Sequence, residues 1–83
     1  MKIPRDLSGE KVARLLARHY GYRVTRTKGS HMTLTRTDAP AKRHSVTVPR
    51  HRDLHIGTLD GIVSDVADFL DRPKSEVRET LFG

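Results

Sequence analysis

The apolar residues of this chain change their period twice, and that switch constrains the fold more than any other feature. Val12, Leu15, Leu16 and His19 fall at helical spacing, the stretch from Tyr22 to Val48 alternates every second residue, and helical spacing returns from Leu59 onward. Ser8 stands where an N-cap belongs, with Leu7 and Val12 at the two ends of a hydrophobic staple, and Gly21 is placed to end the helix in the left-handed region. A helix over 8–20 follows, its cap lacking the Glu or Gln of a capping box because Lys11 occupies that place. In the alternating stretch Tyr22 and Val24 share one face, opposite Arg23 and Thr25. The turn Lys28-Gly29-Ser30 then leads to a second strand, where Met32 and Leu34 alternate with His31, Thr33 and Thr35. Parity points His31 away from the core. A polar loop over 37–43, broken by Pro40, is expected before a third strand over 44–48, which has Val46 and Val48 inward and stops at Pro49.

Residues 50–57 read as a charged connection. Thr58 is expected to cap a second helix with Asp60 in its first turn and Leu59, Ile62, Val63, Val66 and Leu70 as its apolar stripe. After a break at 71–73, Val77 and Leu81 mark a short third helix beside Phe82. The order is α-β-β-β-α-α, an α+β fold with a three-stranded antiparallel sheet and helices packed on one face. At 83 residues we expect one domain over 1–83, with a core at about 7–70 and a helical extension at about 73–83.

Charge narrows the function. The net charge is +6, but residues 1–57 hold 13 Lys and Arg against 4 Asp and Glu, whereas residues 58–83 hold 3 against 6. A basic field over two thirds of the chain points to phosphate backbones as partner, and the acidic last third argues against adhesion to a membrane surface. With no cysteine there is neither a disulfide framework nor a thiolate zinc site. No apolar run approaches the ~20 residues of a membrane helix, and the first residues lack the apolar stretch of a signal peptide, so a cytoplasmic location is expected. Only Tyr20, Tyr22, Phe69 and Phe82 are aromatic, and at least two of them read as core, which favours recognition of shape or backbone over base stacking.

Three motifs occur in order along the chain: Gly29-Ser30-His31 in a hairpin, Val46-Thr47-Val48-Pro49-x-His51 closing the third strand, and Leu54-x-x-Gly57-Thr58-Leu59-x-x-Ile62 opening the next helix. Together they resemble the HicA toxins, also called YcfA-like proteins. That resemblance implies a fold like that of double-stranded-RNA-binding domains, mRNA interferase activity, and neutralisation by a HicB antitoxin. It maps the family's functional histidine onto His31. The expected loop at 37–43 is longer than the short turn of many members, and the extension from Pro73 to Gly83 goes beyond the minimal toxin.

RNA cleavage without a metal needs a base for the 2′-hydroxyl proton, positive charge against the phosphorane, and a proton for the departing 5′-oxygen. His31 is the candidate catalytic residue for the first or last of these. Arg26, Lys28, Gly29, Ser30, Arg50 and His51 are the candidate RNA-binding residues: cations for phosphate, a glycine for close backbone approach, a hydroxyl, and a histidine brought near His31 if the third strand pairs with the second. Arg23 and Arg36 are further candidate clamps, and Lys42 and Arg43 extend that surface. His44 shares parity with Val46 and Val48 and is expected to pack at a strand end, while His19 edges the first helix. The five histidines form no helical i, i+4 pair and have no carboxylate at ligand spacing, so neither a metal nor a small-molecule cofactor is expected. Two other readings use the same residues: a non-catalytic RNA-binding module, and an interaction protein whose basic face meets an acidic partner.

Overall fold

The computed structural model of the protein describes residues 7–39 and 42–83. Helix α1 (Gly9–Tyr20) starts at Ser8, whose hydroxyl accepts the Lys11 N–H at 3.1 Å, and ends at Gly21 with φ +70. Val12, Ala13 and Leu16 are buried, with Leu7 packed against the same cluster as the staple requires. Strands β1 (Arg23–Lys28), β2 (His31–Ala39) and β3 (Lys42–Pro49) form one antiparallel sheet with β2 in the centre. Leu34 lies opposite Val24 on one side and Val46 on the other, and His31 lies opposite Lys28 and Pro49. Because facing residues share a side of the sheet, Met32, Leu34, Val46 and Val48 form one face and meet the helices. They pack with Leu59, Ile62, Val63 and Val66 of α2 (Ile56–Leu70) and Val77 and Leu81 of α3 (Lys74–Phe82). The extension therefore docks on the core through Val77 and Leu81.

The structure corrects the sequence reading at three places. Residues 37–39 and 42–43 are strand where a loop was expected: Thr37 pairs with Arg43 and Ala39 with Lys42, the register shifting at Asp38. Pro40 lies outside the described residues. Polarity suggested a loop there, but a strand with one face in water accepts threonine and arginine readily. Helix α2 begins at Ile56 with His55 as N-cap and no side-chain cap, so Thr58 sits inside the first turn. Its entry is set by tertiary contact: buried Leu54 donates its N–H to the Leu7 carbonyl at 2.8 Å, so the helix starts directly after this tie. Asp60 instead accepts from Lys74 Nζ at 2.7 Å, joining α2 to α3. Val24, though on the helix side, is 49% exposed: it lies on an edge strand at the margin of α1, beside Glu10, Ala13 and Arg14.

Tyr22 is the largest fully buried side chain. Its hydroxyl is hydrogen-bonded to His44 Nδ1 at 2.8 Å, and the His44 ring stacks on Phe69 with centroids 4.7 Å apart, as strand parity led us to expect for His44. Burial pushes the Tyr22 phenol from 10.0 up to about 12, against the opposing pull of the Arg36 guanidinium. The unfolded chain gives up that proton at lower pH than the folded one. The contribution to stability is therefore complete below about pH 10 and is lost as pH rises toward 12. Tyr22→Phe is expected to remove this component: urea unfolding at a series of pH values up to 11.5 should show wild-type stability falling relative to the variant.

Candidate nucleic-acid interface

The hairpin joining β1 to β2 has only Gly29 and Ser30 between the paired residues Lys28 and His31. Gly29 has φ +59 and Ser30 has no positive φ, the pattern of a two-residue turn that needs glycine at its first central position. The tip is anchored from behind, because the Arg50 N–H donates to the Ser30 carbonyl. His31 is exposed on the sheet face turned away from the helices.

A β-bulge places cations beside it. Val24 faces Leu34, but Arg26 faces Thr33, leaving Thr25 as the extra residue. In an unbroken alternation that kept Val24 inward, Arg26 and Lys28 would point to the helices as well. The bulge turns both to the open face, where Lys28 lies opposite His31. A shallow depression results, lined by Arg26, Lys28 and His31, by Gly29 and Ser30 of the turn, and by Thr33 and Thr47. An anionic phosphodiester seated there would meet two cations, two threonine hydroxyls and one imidazole able to exchange a proton. Thr33 and Thr47 were not singled out from sequence; they share His31's parity and face each other across β2 and β3, which was the available signal.

Arg50 and His51 do not line this depression. Both follow Pro49 at the same end of the sheet, but the Arg50 guanidinium lies 3.7 Å from Glu10 on α1 in an exposed, weak pair, and the His51 carbonyl accepts the Gly9 N–H at 2.9 Å. Arg36 is removed from the clamp surface altogether: it shares Leu34's parity, faces the helices, and binds Asp38 at 2.6 Å and the Tyr20 carbonyl at 2.9 Å. Lys42 likewise lies over the Phe69 ring, 5.9 Å from its centroid. Arg23 and Arg43 keep the open face, opposite Thr35 and Thr37. Among the described residues no three His, Asp or Glu side chains converge on a point, and no helix is long and apolar enough to cross a membrane.

No curated protein and no solved structure matches the chain. The profile of a family described as HicA toxin of bacterial toxin-antitoxin matches residues 9–67, from the first turn of α1 to near the end of α2, and so includes the whole hairpin carrying His31. With more than half of its length matched, and with a helix, three antiparallel strands and two further helices in order, the chain belongs to the HicA toxin family of bacterial toxin–antitoxin systems.

Proposed function

We propose that this toxin is a metal-independent endoribonuclease acting on mRNA, with His31 as its proton-transfer group. In this reading His31 takes the 2′-hydroxyl proton, the resulting oxygen attacks the adjacent phosphorus, and Arg26 and Lys28 stabilise the added negative charge. The bond to the 5′-oxygen then breaks, and that oxygen receives a proton from the imidazolium or from water. What carries the reading is the exposed imidazole opposite Lys28, sharing an open depression with Lys28 and Arg26. Arg50 and His51, outside that depression, would contact RNA only beyond the scissile link.

Toxins of this family pair with an antitoxin. For this chain we assign the partner as a HicB-type protein that covers His31 and neutralises the basic face at once. Incubation of the purified toxin with end-labelled RNA tests the nuclease reading. Shortened products should form at an undiminished rate in excess EDTA, whereas complete loss in EDTA with rescue by Mg²⁺ would overturn it. A salt-sensitive mobility shift without shortened products would instead identify a non-catalytic RNA-binding module.

A further inference from the structure

We propose that the free edge of β1 accepts an extended acidic segment of a partner protein as a fourth strand of the sheet, and that the carboxylates of this strand engage Arg26 and Lys28 in place of phosphate. The docking itself is independent of the nuclease reading; only its effect on cleavage rests on that reading.

Among the described residues β1 pairs with β2 alone, so one side of its backbone carries no ladder. In a two-residue hairpin the residues flanking the turn, here Lys28 and His31, form the hydrogen-bonded pair. Thr27 is then a non-bonded position, and its N–H and carbonyl point to the free edge. No proline interrupts the strand. The other edge strand, β3, differs on its helix side: Val46 and Val48 are 3% and 0% exposed, against 49% for Val24. Val24 borders a groove of about 190 Å³ between β1 and α1, with buried Met32 and Ala13 beneath it and exposed Glu10 and Arg14 at its rim. An apolar side chain of a fourth strand would enter this groove, as alternate side chains do wherever an extended peptide is added to a sheet edge.

The two sides of β1 select the occupant. Arg23, Arg26 and Lys28 lie on the open face, paired with Thr35, Thr33 and His31, whereas Val24 and Thr27, paired with Leu34 and Met32, lie on the helix side. The strand has no acidic residue. Glu10, the one acid lining the groove, lies 3.7 Å from Arg50. A matching strand therefore alternates carboxylate with apolar residue, its carboxylates beside the β1 cations and its apolar side chains toward the groove. Pairing with a second copy of β1 would instead set Arg and Lys against Arg and Lys, which opposes self-association at this edge. The same charges favour an acidic strand, so protection from self-pairing and choice of partner come from one feature. Because Arg26 and Lys28 also line the depression that holds His31, a strand seated here competes with phosphate for both.

The probe is a capped peptide of about ten residues alternating glutamate and valine, with its lysine–valine counterpart and a version carrying proline at the central valines as controls. Titrated into nitrogen-15-labelled His31→Ala protein and followed by NMR, the acidic peptide should shift the amides of residues 23–28 and, at saturation, slow hydrogen exchange at Thr27 by about tenfold or more. The lysine and proline peptides should bind about tenfold more weakly or worse. Val24→Glu should weaken the acidic peptide by a similar factor and Arg23→Glu several-fold; both positions are exposed, so both variants should melt as the parent does. The proposal is overturned if the acidic peptide does not bind, if the lysine peptide binds as tightly, if Thr27 exchange is unchanged in the bound state, or if neither substitution weakens binding. In the wild-type protein the acidic peptide should raise KM for RNA cleavage and leave kcat unchanged, whereas a bound peptide with KM unchanged would refute the competition with phosphate. RNA left uncut in the absence of peptide would refute the nuclease reading and leave the docking result to stand on its own.

Discussion

Gly9→Ala is expected to cost about 3 kcal/mol or more and to lower the melting temperature by on the order of 15 °C. A β-carbon at this position would lie 1.8 Å from the Pro49 carbonyl oxygen, 2.9 Å from its carbon and 3.1 Å from the Arg50 Cα, all backbone atoms. Nothing there yields by rotating a side chain. The Gly9 N–H is held by the His51 carbonyl at 2.9 Å, and the neighbouring Leu54 N–H by the Leu7 carbonyl at 2.8 Å. Relief therefore requires the start of α1 to move away from the end of β3, breaking these bonds and exposing Leu7 and Leu54 as well. Forced packing costs ~1–3 kcal/mol and a lost bond with an unsatisfied partner a further ~1–3, in a domain whose whole stability is ~5–15. The same segment anchors the hairpin tip through Arg50 and Ser30, so residual folded protein should also have a misplaced His31. Urea and thermal unfolding measure the effect, and a variant within about 1 kcal/mol of wild type would show that the contact is not tight.

The helices and the inward residues of the strands were legible because their signals are local. Ser8 and Gly21 are set by capping geometry within a few residues, and Met32, Leu34, Val46 and Val48 by a period of two. What sequence patterning missed depends on partners far along the chain. The start of α2 is decided by the Leu54–Leu7 backbone bond, 47 positions apart, and not by the best capping side chain nearby. The close approach of Gly9 to Pro49 leaves no mark at Gly9 itself beyond the absence of a side chain.

The candidate site divides in the same way. His31, Lys28, Gly29 and Ser30 come together because the turn that joins them is two residues long. Arg26 joins them through a bulge at Thr25, which no local pattern signalled. Arg36 looked equivalent to Arg26 by composition, yet parity sends it to Asp38 and Tyr20 on the other side of the sheet. Thr33 and Thr47 emerge only once β2 and β3 are paired.

His31→Ala is expected to separate folding from chemistry. The ring is exposed, at the first residue of β2, and takes no part in the apolar cluster, so its removal should change stability by no more than about 0.5 kcal/mol. Loss of a positioned proton-transfer group costs ~10²–10⁴ in rate, and His31→Gln, which keeps polarity without the proton chemistry, should lose as much. Arg26 and Lys28 remain in both variants, so RNA binding should persist. The most direct test is the initial rate of RNA cleavage in EDTA for wild-type and His31→Ala proteins shown to melt at the same temperature. At least a 100-fold fall with RNA still bound is the expected result; an unchanged rate would contradict the assignment of catalysis to His31.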